Sequence, residues 1–328
     1  MARITFREAI SQALWEEMER DERVFIMGEE VGVWGGTYAV TRGFLDHFGP
    51  KRVRDTPIAE AVIVGAAAGA AVAGLRPVAE LMTINFAFLA MDQIFNHVAK
   101  LHYMFNGQIR CPIVIRTVGG GGRQLGATHS QTPDVMFAHV PGLKVVAPGT
   151  PYDAKGLLKA AIRDEDPVFF IEHATLYQVR GEVPEDDYTV PIGVSDVKRK
   201  GKDVTIVSYS KMLQLALKAA DGLADEGIEA EVIDLRTLRP LDMRPVVESV
   251  QKTNRMVVVE EGWRAYGVGA EIAARIYELC LDYLDAPIRR IAQAEVPLPY
   301  SRALEQMAIP QVDDIIHAAK DVLYLARP

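Results

Sequence analysis

The sequence predicts an α/β protein of two domains, each a mainly parallel sheet covered by helices. Three observations carry this. Short apolar runs alternate with helix-period segments along nearly the whole chain. Several runs, such as Ile113–Val118 and Val204–Tyr209, are continuously apolar, as strands buried on both faces are. The alternation lapses once, between about His173 and Asp203, where turn-rich and charged stretches mark a link between domains. A chain of 328 residues accommodates two domains. Expected boundaries are 1–185 for the first domain, 186–203 for the link and 204–328 for the second.

In order, Phe6, Ala9, Ile10, Ala13, Leu14 and Met18 recur at helical spacing, and Val24–Met27 is a short strand ending at Gly28-Glu29-Glu30. A glycine-rich loop leads to a short helix over Thr41–Phe48, stopped by Gly49-Pro50, and then to a strand over Arg52–Asp55. Pro57 pushes Thr56 out of the α region, so the chain turns there. Residues 59–74 form a tightly packed helix of Ala, Val and Gly, with Gly65 and Gly69 on one face and Glu60 in the first turn. There the helix dipole favours an anion. Val78–Met82 is a strand, Phe86–Phe105 one long helix, and Ile113–Val118 a buried strand before the loop Gly119-Gly120-Gly121-Gly122-Arg123. A helix over Pro133–His139, a strand over Leu143–Ala147, a helix over Pro151–Arg163 and a strand over Val168–Ile171 complete the first half. The second half repeats the pattern: strands at Val204–Tyr209, Glu229–Leu235, Met256–Val259 and Ile288–Ile291, and helices at Lys211–Ala224, Met243–Gln251, Gly269–Leu284 and Val312–Leu325.

Composition narrows the function. Apolar residues are 49% and charged residues 24%, enough for a large core. A net charge of −8 argues against nucleic acid or an anionic membrane surface as main partner. The apolar stretch Ala61–Leu75 is shorter than the roughly 20 residues a bilayer requires. Cys111 and Cys280 stand far apart in no metal or redox pattern, which fits a reducing compartment. The N-terminal residues enter an amphipathic helix directly, without a signal peptide, so a cytoplasmic location is expected.

Few motifs carry chemistry by themselves. The four-glycine run could cradle a phosphate, but no Gly-Lys-Ser/Thr follows it, and a flexible turn explains it as well. Gly267-Val268-Gly269 is a partial dinucleotide turn that close helix–strand packing also explains. His97 and His102 are five apart, not at metal-pair spacing. No G-x-S-x-G elbow supports a serine triad. Glu60 reads as a helix-terminal charge or as a catalytic acid. His129 follows the glycine run at the carboxyl end of a strand, where ligands of open α/β sheets collect, and could move protons. A Gly-Asp-Gly with an Asn some 25–30 residues later, or any similar acidic and amide cluster, is missing, so no diphosphate–magnesium site is evident.

The motifs taken together resemble a known family. Met27-Gly28-Glu29-Glu30-Val31, Asp55-Thr56-Pro57-Ile58-Ala59-Glu60, Gly74-Leu75-Arg76-Pro77, Met91-Asp92-Gln93-Ile94, His129-Ser130-Gln131, Pro141-Gly142-Leu143-Lys144, Pro151-Tyr152-Asp153-Ala154-Lys155-Gly156 and Glu231-Val232-Ile233-Asp234-Leu235-Arg236-Thr237 fall in this order. The set is similar to the beta subunits of thiamine-diphosphate-dependent 2-oxo acid dehydrogenases, in the transketolase-like superfamily. The resemblance implies a pyrimidine-binding domain followed by a transketolase carboxyl-terminal domain, in a tetramer of two alpha and two beta chains. Thiamine diphosphate would be shared with the alpha subunit, which would also hold Mg2+, and a lipoyl acyltransferase core would be the further partner.

Site residues implied by the resemblance are Glu60 against the aminopyrimidine ring, Ile58 and Phe86 as apolar contacts, and His129 in acyl transfer to the lipoyl arm. Ile113, Ala161, Ile162, Asp164 and Asp166 match a potassium (K+) site, with Asp166 where the family often has Asn. Val259-Glu260-Glu261-Gly262-Trp263 and Val296-Pro297-Leu298-Pro299-Tyr300 look like the pyruvate members. Acetoin and branched-chain enzymes are the alternatives, and a non-catalytic scaffold subunit is the alternative of another class.

Overall fold

The computed structural model describes residues 1–325. Contacts divide the chain into two compact units, one of residues 1–119 and 136–192, the other of residues 120–135 with the chain from Gly193 onward. The first unit holds β1 (Ala2–Thr5), α1 (Phe6–Arg20), β2 (Val24–Gly28), α2 (Phe44–Phe48), β3 (Val53–Asp55), α3 (Glu60–Val72), β4 (Arg76–Leu81), α4 (Leu101–Met104) and β5 (Val114–Gly119). After α5 (Asp134–Ala138) come β6 (Lys144–Val146), α6 (Pro151–Arg163), β7 (Val168–His173) and β8 (Arg180–Val183). Its parallel strands lie in the order β6-β7-β5-β4-β2-β3, and β1 pairs antiparallel with β8. Register levels the carboxyl ends of three strands, with Gly28 opposite both Asp55 and Glu80. A Cβ on Gly28 would sit 2.6 Å from the Glu80 carbonyl oxygen, so only glycine lets these strands close there.

Local chemistry explains the sharpest boundaries. Thr5 and Glu8 form a reciprocal capping box at the start of α1. Thr150 caps α6 by accepting from the Asp153 N–H, with Pro151 at the first helical position. The expected long helix over Phe86–Phe105 is instead a 3-10 segment (Ile84–Ala90), a π segment (Gln93–Val98) and the short α4. The buried positions show why. Ile84, Ala87 and Ala90 recur every three residues, then Ile94 precedes Val98 and Ala99 by four and five. An apolar pattern near helical period does not separate these three windings.

The second unit holds β9 (Asp196–Arg199), β10 (Val204–Ser208), α7 (Ser210–Asp225), β11 (Ala230–Asp234), β12 (Thr237–Arg239), α8 (Arg244–Thr253) and β13 (Met256–Trp263). They are followed by α9 (Val268–Cys280), β14 (Arg289–Gln293), α10 (Arg302–Ala308) and α11 (Val312–Val322). A five-stranded sheet runs β14-β13-β10-β11-β9, parallel except for β9 at its edge. Its core gathers Val204, Ile206, Leu213, Ala216, Ala220, Val232, Val257, Val259, Ile315 and Ala319. Two strands, β8 and β9, thus fall inside the stretch read from sequence as patternless, because both are short edge strands with little apolar alternation. Among the described residues no helix is long and apolar enough to cross a membrane.

Candidate active site

In the first unit the ends of β2, β3 and β4 build a carboxylate-rich platform. The chain leaves β2 at Gly28 and enters the loop of residues 29–41. Asp55, at the end of β3, accepts from the N–H groups of Gly32 (2.6 Å) and Val33 (3.2 Å), which pins that loop. The Thr41 hydroxyl donates to the Val31 carbonyl at 2.6 Å and closes it. Thr56 N–H donates to the Gly28 carbonyl at 3.0 Å, so the turn at Pro57 begins beside the same strand end.

Glu60 opens α3 and is only 3% exposed. No side chain caps this helix, so the carboxylate stands in the first turn of an uncapped N-terminus, where the dipole stabilises negative charge. Glu29 is buried nearby. Its Oε1 has no hydrogen-bond partner, and burial, reinforced by Glu60, Glu30 and Glu80, holds its carboxyl above the ordinary range. Glu29 was not singled out from the sequence, although an acid directly after an apolar strand was the available signal. Ile58 is 80% exposed beside the turn. Phe86 is half-buried on the 3-10 segment, against which α3 packs.

Behind the platform a fully buried Arg116 is ion-paired to Glu80 and Glu172, and the Tyr177 hydroxyl donates to Glu172 at 2.7 Å. Burial alone would lower the Arg116 pKa, but the two carboxylates more than restore it, so the guanidinium stays charged.

The five residues of the expected cation site meet where α6 runs into β7. Arg76 donates to the carbonyls of Ile162 and Asp164, both at 3.0 Å. Lys144 Nζ lies 2.8 Å from both Asp164 carboxylate oxygens and 3.2 Å from Asp166. The Ala161 carbonyl accepts from the Asp164 N–H at 3.3 Å and the Ile113 carbonyl from the Val168 N–H at 3.0 Å. The turn therefore gathers oxygen atoms, and cationic side chains already collect on it. Among the described residues no group of three or more His, Cys, Asp and Glu side chains is arranged to hold a metal.

His129 lies in the second unit, on a loop closed at its base by Gly120 N–H donating to the Gln131 carbonyl at 3.2 Å. It is exposed, and its Nδ1 is 3.0 Å from the Thr128 hydroxyl. The glycine run does not present free N–H groups to a phosphate. Gly121 donates to Glu261 at 2.6 Å, and Gly122 and Gln124 donate to Glu305 at 2.9 and 3.1 Å. Nor does Gly267-Val268-Gly269 open onto a ligand, since a Cβ on Gly269 would meet Glu260 Oε1 at 2.5 Å. Asp134, fully buried at the end of the loop, accepts from Tyr209. Its carboxyl is pushed up to about 7 by burial and by Glu261 and Glu260.

Comparison with known proteins agrees with this layout. Residues 2–180 match the transketolase pyrimidine-binding domain, and residues 193–315 the transketolase C-terminal domain. The fold is that of transketolase-like, thiamine-diphosphate-dependent enzymes. A solved structure described as a split-gene transketolase, inactive beta4 tetramer, is 26% identical with a TM-score of 0.81, covering 99% of this chain and 100% of that one. The pyruvate dehydrogenase E1 component subunit beta-2 of Oryza sativa subsp. japonica is 53% identical over 329 residues, covering 99% of this chain and 88% of that protein. The corresponding beta subunits of Rickettsia felis and Rhizobium meliloti are each 51% identical, over 98% and 99% of this chain and 98% and 71% of their own lengths. The chain belongs to the pyruvate dehydrogenase E1 beta-subunit family. The residues on the platform fit the cofactor of that family: a buried acid pair, one oxygen of which lacks a partner, lies next to apolar surface that a ring could cover.

Proposed function

We propose that this chain is the beta half of an enzyme that oxidatively decarboxylates pyruvate and reductively acetylates a lipoyl group. Carbon dioxide leaves, the remaining two-carbon unit is oxidised to the acetyl level, and the lipoyl disulfide is reduced as one sulfur takes the acetyl group. The observation that carries this reading is the buried Glu60 in the first turn of α3 beside the partnerless oxygen of Glu29. Thiamine diphosphate, when bound, supplies the carbon nucleophile and the electron sink. Glu60, buried in the first turn of α3, would hold the aminopyrimidine by giving and taking a proton at its carboxylate. Glu29 adds a second buried acid beside it, with its own carboxyl held above the ordinary range by burial and by Glu60. Ile58 and Phe86 offer the apolar surface for the ring, and His129 moves a proton during acyl transfer.

The diphosphate and Mg2+ are assigned to an alpha chain, giving two alpha and two beta subunits, and the lipoyl arm to an acyltransferase core. The inactivity stated for the beta-only tetramer of the split transketolase supports the need for a second kind of chain. Ile113, Ala161, Ile162, Asp164 and Asp166 are proposed to hold potassium, on the strength of their clustered oxygen atoms. The location is proposed to be cytoplasmic.

The decisive experiment is co-expression with an alpha chain and assay on pyruvate, branched-chain 2-oxo acids and acetoin. Pyruvate should be preferred, and Glu60→Gln should lower turnover by about three orders of magnitude while the tetramer still elutes intact. Preference for another substrate would overturn the choice of pyruvate. Near-normal turnover by Glu60→Gln would overturn the role of Glu60. Cofactor binding without decarboxylation of any substrate would favour a scaffold.

A further inference from the structure

The glycine-rich loop that precedes His129 is held in shape by two carboxylates that come from far along the chain. Gly120, Gly122 and Gly126 have φ of +87, +94 and +76°, and Gln124 has +55°. A segment so rich in left-handed backbone has many alternatives when free, because glycine loses the most conformational freedom on ordering. Its N–H groups nevertheless converge. Glu261 Oε1 accepts from Gly121 at 2.6 Å. Glu305 Oε1 accepts from Gly122 at 2.9 Å, and its Oε2 from the Gln124 N–H at 3.1 Å and the Gln124 side-chain amide at 3.2 Å. Successive backbone N–H groups in such conformations form a nest that binds an anion, and here the protein supplies the anion itself.

Both carboxylates are dry, Glu305 at 1% exposed and Glu261 at 4%. Lys211, 3.7 Å from Glu261, is a distant cation for that carboxylate. The fit leaves no room for slippage: a Cβ on Gly121 would lie 2.5 Å from Leu298 and 2.7 Å from Ile309, and one on Gly126 2.3 Å from the Tyr300 ring. From Gly126 the chain turns back, with its carbonyl accepting the His129 N–H at 3.3 Å, so the clamp acts one turn before the imidazole.

We propose that Glu305, with Glu261, is a positioning residue for His129: the two carboxylates set the backbone that aims the imidazole and so govern acyl transfer to the lipoyl arm. This rests on the reading of His129 above. The test uses the assembled alpha–beta enzyme with Glu305→Gln, and with Glu261→Gln in case the first variant does not assemble. A glutamine keeps one acceptor but turns an N–H2 toward N–H donors, so the clamp loosens while the packing volume stays.

Two readouts are taken. Decarboxylation is followed with ferricyanide as electron acceptor, and acetyl transfer with a lipoyl domain as acceptor. The expected result is a drop of at least about tenfold in the ratio of acetyl transfer to decarboxylation, in the same direction as His129→Ala, with a higher KM for the lipoyl domain. Amide hydrogen exchange across 121–124 should quicken by about tenfold or more. A purely structural role would lower both activities together, in proportion to folded enzyme. An unchanged ratio, or unchanged exchange at 121–124, would overturn the proposal. Failure of the wild-type enzyme to acetylate the lipoyl domain would instead overturn the function proposed above.

Discussion

The two units meet the same problem, buried acids next to a functional segment, with different chemistry. In the first unit Glu80 and Glu172 flank the buried guanidinium of Arg116, and the charge is offset by a cation. In the second unit Glu305 is offset by the N–H groups of Gly122 and Gln124, and Glu261 by the Gly121 N–H together with Lys211, while burial raises the Asp134 carboxyl to about 7. A buried ion pair tolerates little change in either partner, since removing one strands the other. An N–H nest spreads the charge over several donors. The contrast suits the two sites. Glu60 lies in the first turn of α3, whereas His129 rides on a loop.

Three changes would break or sharpen this contrast. Arg116→Met should be the most damaging to stability, costing about 3–5 kcal/mol because two buried carboxylates lose their cation. Urea unfolding of the full chain measures this, and a cost under 1 kcal/mol would mean that the cation is not what offsets them. Asp134→Asn should have an effect that depends on pH. Asp134 binds its proton more tightly in the folded chain than its ordinary carboxyl value of 3.8 allows, with a folded value of about 7. The cost of ionising it is therefore absent below pH 4, grows as pH rises toward 7 and is fully present above that. Asn keeps the acceptor for Tyr209 and removes the charge. The variant should gain up to about 4 kcal/mol relative to wild type at pH 8 and much less at pH 5. Equal effects at both pH values would show that Asp134 ionises normally. The smallest effect is expected from exchanging potassium for tetramethylammonium. If the Asp164–Asp166 turn binds the ion, stability should fall by about 1 kcal/mol, visible as a lower melting temperature of the full chain. An unchanged melting temperature would leave Lys144 and Arg76 as the cations that serve that turn.

Much of this architecture was legible in the residues. The strand–helix alternation is dictated by period, and α6 was readable end to end because Thr150 and Pro151 start it at a defined point and Asp164 follows its last residue. The 3-10 and π segments were not, because Ile84, Ala87, Ala90, Ile94 and Val98 satisfy a helical pattern without revealing its winding. Edge strands β8 and β9 and helix α10 escaped because they are short and mostly polar or exposed. At the site, Glu60 stands out as an acid opening a small-residue helix and His129 as a loop histidine at a strand end, while their particular roles come only from the motif resemblance. Glu29 was visible as an acid closing an apolar strand, but its coupling to Glu60 depends on how β2 and β3 stand in register. Glu261 and Glu305 lie 140 and 183 positions from the glycines they hold, and no local pattern reports such a pairing.

The segment of residues 120–135 also bears on how this protein can be divided. By sequence it interrupts the first domain, yet it packs with the second. A scissor placed at Gly193 would therefore produce a carboxyl-terminal fragment lacking its own tenon. Leu298 and Ile309 would lose the glycine backbone that lies against them, and the Glu305 carboxylate would be left without its N–H donors. Modules exchanged between relatives should carry this stretch along with the second half, a graft in two pieces rather than one.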